Sequence, residues 1–142
     1  DKPKSGNIVT EDGEVLGKHN GLFNYTIGQR KGLGIAYKHP LYVIGFNGER
    51  NEVIVGPNER LFTNRMICKF YNFLDDTIHK ELKAEGKIRY AANPSPCTAR
   101  ILDDDTMEVI FDEPQRAITP GQSVAFYNGT QLLGGAVIDR VC

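Results

Sequence analysis

Short apolar runs with a period of two, separated by Gly, Asn and Asp, dominate the chain, and that alternation predicts strands rather than helices. Residues 7–10 and 14–16 flank Glu11-Asp12-Gly13, whose Asp-Gly pair tolerates positive φ and therefore predicts a hairpin. Residues 42–46 and 52–55 flank a second turn, Asn47-Gly48-Glu49-Arg50-Asn51, and Pro57-Asn58 closes this first unit. Thr63-Asn64-Arg65 is polar and turn-like, and beyond it the runs lengthen, which places a boundary near residue 63. Residues 66–74, 83–90, 97–102, 106–111, 123–127 and 132–138 then make six predicted strands.

The fold class is therefore all-β: a small β domain over residues 1–62, followed over 63–142 by a six-stranded antiparallel β-barrel. A closed barrel suits six strands with short connections because closure removes the unpaired edges of an open sheet. Met107, Val109 and Phe111 alternate with Thr106, Glu108 and Ile110, as one mostly buried face requires. Gly134-Gly135 inside the last run marks a bulge or a close backbone approach. A competing helix over residues 75–84, with Asp75 as cap, has only Ile78 and Leu82 at helical spacing and is not preferred.

Length and composition add limits. At 142 residues the chain accommodates one core or two small ones. It opens on Asp1-Lys2-Pro3-Lys4-Ser5-Gly6 without an initiator Met, signal core or apolar run long enough for a membrane span, so it reads as a piece of a longer, cytoplasmic protein with no membrane partner. Cys68, Cys97 and Cys142 are widely spaced, without a C-x-x-C pair or a nearby His, which suggests neither zinc nor a redox motif and fits a reducing compartment. Cys68 and Cys97 are expected in the core and Cys142 on a frayed end.

A net charge of −1 gives no global case for a nucleic-acid partner, but the distribution is uneven. Residues 15–48 contain no acid, yet carry Lys18, Arg30, Lys31 and Lys38, with His19 and His39. Residues 86–102 repeat the pattern with Lys87, Arg89 and Arg100. Asp103, Asp104, Asp105, Glu108, Asp112 and Glu113 then form an acid-only stretch, so the molecule is expected to have sides of opposite sign.

Three motifs carry candidate chemistry. Gly17-Lys18-His19-Asn20-Gly21 leads into Tyr25-Thr26-Ile27-Gly28-Gln29-Arg30-Lys31-Gly32-Leu33-Gly34, whose glycines permit sharp turns and whose Gln29, Arg30 and Lys31 offer donors to phosphate or an RNA loop. It is neither a dinucleotide fingerprint nor a P-loop, and it serves equally as a loop packed against a neighbouring domain. In Lys87-Ile88-Arg89-Tyr90, alternation sends Lys87 and Arg89 to one face and Ile88 and Tyr90 to the other; relaxed at a strand end, Tyr90 would stack on a base while Arg89 meets a phosphate. Thr119-Pro120-Gly121-Gln122-Ser123-Val124 sets a Gln amide, donor and acceptor at once, at the entry to a strand. No nucleophile–base pair, metal cluster or isolated carboxylate pair marks a self-sufficient active site, and His19, His39 and His79 are scattered.

These segments, in this order, resemble the C-terminal two-fifths of bacterial tRNA-specific 2-thiouridylases. The most specific part is Gly17-x-His19-x-Gly21 with the run from Tyr25 to Gly34. Asn51-Glu52-Val53-Ile54-Val55-Gly56, Lys87-Ile88-Arg89-Tyr90, Pro120-Gly121-Gln122 and Leu133-Gly134-Gly135-Ala136-Val137-Ile138 add to it; Lys4-Ser5-Gly6 departs from the Pro-Gly often seen there. The resemblance implies a parent enzyme with an N-terminal ATP-pyrophosphatase domain that binds ATP with Mg, a small central β domain and a C-terminal barrel, the last two being this chain. It implies adenylation of the wobble uridine of tRNAs for Lys, Glu and Gln at its C2 oxygen, then sulfur transfer from a cysteine persulfide fed by a sulfur-donor protein. The catalytic cysteines of such an enzyme lie upstream, so no catalytic or metal residue is expected here. By the same resemblance Arg89, Tyr90 and Gln122 contact tRNA, whereas His19, Gln29, Arg30 and Lys31 are candidates for RNA contact or domain docking. The alternatives are a non-catalytic module that braces a parent enzyme, and a translation-factor-like barrel.

Overall fold

The computed structural model describes residues 4–75, 80–89 and 92–142. The chain divides into two compact units, Asp1–Phe62 and Thr63–Cys142. No helix among the described residues is long and apolar enough to cross a membrane.

The first unit is a four-stranded sheet built from β1 (Gly6–Thr10), β2 (Val15–His19), β3 (Tyr42–Asn47) and β4 (Glu52–Gly56), in the order β2-β1-β4-β3. The Asp12-Gly13 hairpin forms as predicted, closed by Thr10 N–H to the Glu14 carbonyl at 2.9 Å. β1 runs parallel to β4, and both outer pairings are antiparallel. Ile8, Val43, Val53 and Val55 are buried on the sheet, and the long connection between β2 and β3 lays Leu33 and Leu41 against them. Leu22, Tyr25, Ile27, Ile35 and Tyr37 from the same connection flank this core. Irregular backbone covers the core without a strand of its own because it borrows partners from β3: Gly28 N–H donates to the Val43 carbonyl at 2.8 Å, and Val43 N–H donates to the Gln29 carbonyl at 2.9 Å.

The second unit is a closed antiparallel barrel of β5 (Phe62–Phe73), β6 (Glu81–Lys87), β7 (Ser95–Ile101), β8 (Thr106–Arg116), β9 (Ser123–Asn128) and β10 (Gln131–Val141), in the order β10-β5-β8-β7-β6-β9. Its interior holds Met66, Cys68, Cys97, Ala99, Met107, Val109, Phe111, Val124, Phe126, Ala136 and Ile138. Gly134 meets both expectations for its pair. The β9–β10 register shifts between Leu132 and Gly134, and a methyl at Gly134 would collide with the Asn72 carbonyl and Phe73.

Several boundaries differ from the sequence expectation. Thr63, Asn64 and Arg65 are not a turn but part of β5, where their polar side chains find partners elsewhere in the barrel: Thr63 Oγ1 donates to the Cys142 carbonyl at 2.8 Å, Asn64 Nδ2 to the Phe111 carbonyl at 3.5 Å, and Arg65 pairs with Glu108. β2 continues through Gly17 and Lys18 to His19, and β8 runs on to Arg116. Conversely, β6 stops at Lys87, so Arg89 lies beyond the strand. The competing helix is excluded over 81–84, which are strand; residues 76–79, with Ile78 and His79, lie outside the described residues. Cys142 is not frayed: its N–H donates to the Arg65 carbonyl at 3.0 Å, and its carbonyl accepts from Thr63 Oγ1 at 2.8 Å. Glu108, read as one member of the acid-only stretch, is buried between Arg65 (2.6 Å) and Arg100 (3.0 Å). Burying that carboxylate is tolerated because two guanidinium groups replace its water.

Candidate nucleic-acid interface

The antiparallel order of the barrel decides which connections share an end. Lys87 in β6 lies opposite Ala125 in β9, so the exit from β6 and the entry to β9 are at the same end. Cys97 lies opposite Phe111, which brings the start of β7 and the end of β8 there too. Residues 88–94 and 117–122 are therefore the two connections of this end, and neither contains an Asp or Glu. At the opposite end, the connections at 74–80 and 102–105 carry Asp75, Asp103, Asp104 and Asp105. The connections thus differ in charge from one barrel end to the other, but Asp112 and Glu113 of the acid stretch lie past Phe111 near the end of β8, and Asp139 lies near the end of β10, so the strands themselves bring acids to the end that carries Arg89 and Gln122.

Arg89 sits in a bend just past β6, half-buried. Its guanidinium donates to the backbone carbonyl of Arg116, the last residue of β8. One NH₂ group is thereby used as an anchor, and the planar fork is held at the rim of the barrel end. The bend closes through Ala92 N–H to the Arg89 carbonyl at 3.0 Å, while Ile88 turns into the core. Tyr90 lies outside the described residues.

Gln122 is exposed on the neighbouring connection. Its backbone is fixed on both sides: its N–H donates to the Thr119 carbonyl at 3.3 Å, and its own carbonyl accepts from Ile138 N–H at 2.8 Å. Buried Ala117 and Ile118 anchor the start of the same connection. The side-chain amide is consequently presented to solvent from a rigid support, at the same barrel end as Arg89. The Arg116 carbonyl, which orients Arg89, was invisible to sequence reasoning because any residue supplies a carbonyl.

The glycine-rich candidates of the first unit separate into two kinds. His19 is 3% exposed and both ring nitrogens are engaged, Nε2 with the Asn51 carbonyl at 2.7 Å and Nδ1 with Gly21 N–H at 3.0 Å. Because Nδ1 accepts, the ring is the neutral Nε2–H tautomer. Gln29 is also spent locally, its Oε1 accepting from Thr26 N–H at 3.0 Å and its Nε2 donating to the Lys31 carbonyl at 2.9 Å. These two side chains shape the loop through bonds within the first unit. Arg30 and Lys31, between the braced positions, are exposed.

The cysteines have no nucleophilic environment inside the barrel. Burial pushes the Cys68 and Cys97 thiols up to about 12, with Asp139 adding to the effect at Cys68 and Asp112 at Cys97. Among the described residues no group of three metal-ligating side chains comes together.

Comparison with known proteins gives this geometry its setting. Residues 63–138 match the family model described as the aminomethyltransferase beta-barrel domain, and residues 2–57 match the tRNA methyl transferase PRC-barrel domain. A PRC-barrel unit followed by this barrel places the chain in the class of tRNA-modification proteins. Across 139 residues it is 48% identical to the tRNA-specific 2-thiouridylase MnmA of Clostridium botulinum (strain Alaska E43 / Type E3), covering 97% of this chain and 38% of that relative. The corresponding MnmA of Clostridioides difficile (strain 630) is 46% identical over 96% of this chain and 38% of its own length. That of Geobacter metallireducens is 46% identical over 94% and 36%. The chain belongs to the tRNA-specific 2-thiouridylase family and spans about two-fifths of the length of the curated relatives it matches.

Proposed function

We propose that this chain is the tRNA-holding part of a tRNA 2-thiouridylase, and that the barrel end formed by the connections 88–94 and 117–122 grips the RNA. The observation that carries this reading is the placement of Arg89 and Gln122 on two adjacent connections that themselves lack any acid, at the barrel end opposite Asp103, Asp104 and Asp105. A guanidinium fork held at a rim suits a phosphate, and an amide on a rigid turn suits a base edge or a 2′-hydroxyl. Tyr90, adjacent in sequence to Arg89, is proposed to stack on a nucleotide.

In this reading the chemistry takes place on an N-terminal ATP-pyrophosphatase domain of the parent enzyme. ATP with magnesium activates the C2 oxygen of the wobble uridine there, and a cysteine persulfide, supplied by a sulfur-donor protein, replaces that oxygen. The tRNAs are those for Lys, Glu and Gln, and the enzyme is cytoplasmic. The residues of this chain bind and orient the substrate, and Cys68 and Cys97, with raised thiols inside the barrel, take no part in sulfur transfer.

Arg89→Ala and Gln122→Ala in the full-length enzyme test the assignment. Each is expected to weaken tRNA binding by about 1–3 kcal/mol with little change in thermal stability. Unchanged tRNA affinity combined with a lower Tm would instead favour a purely bracing module.

A further inference from the structure

Phe23 is 97% exposed, more than any other large apolar side chain among the described residues of the first unit. It is not on a loose loop. It occupies the middle of a single 3-10 turn, Leu22–Asn24, whose flanking side chains Leu22 and Tyr25 pack on the core. Gly21, at a φ of 135° that favours glycine, gives its N–H to buried His19, and its carbonyl accepts from Asn24 N–H at 3.1 Å. Asn24 Nδ2 donates back to Asn20 Oδ1 at 3.1 Å, and Tyr25 packs edge-on to His19 with ring centroids 5.9 Å apart. The ring of Phe23 is thus displayed on a turn fixed at both ends, and it contributes nothing to the core that fixes it.

Charge indicates what an aromatic displayed in this way would meet. Phe23 lies within residues 15–48, which contain no acid, and Asn20 and Tyr25 of its turn line an open groove of about 640 Å³ with Lys18, Gly32 and Leu33. No residue lining this groove is acidic. Phe23 does not itself line the groove, but a pre-ordered aromatic face in an acid-free segment that also carries Lys18, Arg30, Lys31 and Lys38 suits unpaired nucleotides, because every base has a face to stack and every linkage a phosphate. A protein partner of ordinary composition does not require the acid-free surroundings.

We propose that Phe23 is a stacking platform for an unpaired base of the bound RNA, a second contact provided by the first unit; this rests on the tRNA-binding reading above. The test measures binding of the 142-residue chain to two RNA probes, a hairpin with an unpaired loop and the same stem as a continuous duplex. Phe23→Ala is expected to weaken hairpin binding about five-fold or more, with duplex binding unchanged. Phe23→Tyr should retain the hairpin affinity. Because the side chain is outside the core, the Tm of both variants should match the parent. Unchanged hairpin affinity in Phe23→Ala, or equal losses on both probes, overturns the stacking role and leaves a protein contact as the use of this ring. The parent reading fails separately, if the unsubstituted chain binds neither probe or if Arg89→Ala leaves binding of both unchanged.

Discussion

The guanidinium of Arg89 is tied to the backbone carbonyl of Arg116, so the connection leaving β6 is fastened to the end of β8. This contact makes Arg89 a directed donor at the barrel rim, and it distinguishes geometry from charge. Arg89→Lys keeps the charge but loses the fork, and an ammonium has no planar geometry to span both the carbonyl and a phosphate. We expect Arg89→Lys to retain part of the tRNA affinity. Arg89→Ala should lower the slope of log Kobs against log salt by about one phosphate contact. Titrations at several salt concentrations check both.

The three cysteines are expected to differ sharply in reactivity. Cys68 and Cys97 are buried with thiols held at about 12, so almost none is thiolate at neutral pH, whereas Cys142 is exposed. Iodoacetamide on the native chain should modify Cys142 alone, and all three in denaturant. Rapid native labelling of Cys68 or Cys97, read by peptide mass spectrometry, contradicts the placement.

Glu108 sets a pH dependence. Its hydrogen bond to Arg65, helped by Arg100, holds the carboxyl below its ordinary value of 4.5 despite burial. A carboxyl with a depressed folded pKa stabilises the protein fully above the unfolded value, and that contribution is lost as pH falls through the lower folded value. Glu108→Gln should therefore cost about 1 kcal/mol at neutral pH, a small figure because both arginines remain half-exposed to water. The Tm difference between the two proteins should shrink as pH drops below 4.5.

His19 is expected to matter for folding. His19→Ala leaves the Asn51 carbonyl and Gly21 N–H without their partner, at a cost of about 1–3 kcal/mol for each group that water cannot reach. Denaturant melts should show the loss, while Arg30→Ala, on an exposed side chain, should leave stability within about 0.5 kcal/mol.

Strand periodicity made the fold legible. Met107, Val109 and Phe111 announced a buried face, and Gly134 announced a place where the backbone must pass close to another strand. Charge runs announced opposite sides, but the antiparallel order spreads the acid run along β8, with Asp103, Asp104 and Asp105 at one barrel end and Asp112 and Glu113 towards the end that carries Arg89. What stayed hidden depends on contacts between residues far apart in sequence. Glu108 resembled its acidic neighbours until Arg65, 43 positions away, closed on it. Gln29 resembled a ligand-binding amide because its partners are backbone groups, which every residue carries. Arg89 was read on a strand because Ile88 continues the alternation, yet pairing ends at Lys87.

The central claim is spatial, and amide NMR of the 142-residue chain titrated with tRNA locates it directly. Binding at the end that carries Arg89 and Gln122 predicts shifts concentrated in residues 88–94 and 117–122, with Asp103, Asp104 and Asp105 left in place. Shifts centred on those three aspartates, with Arg89 and Gln122 unmoved, would contradict it.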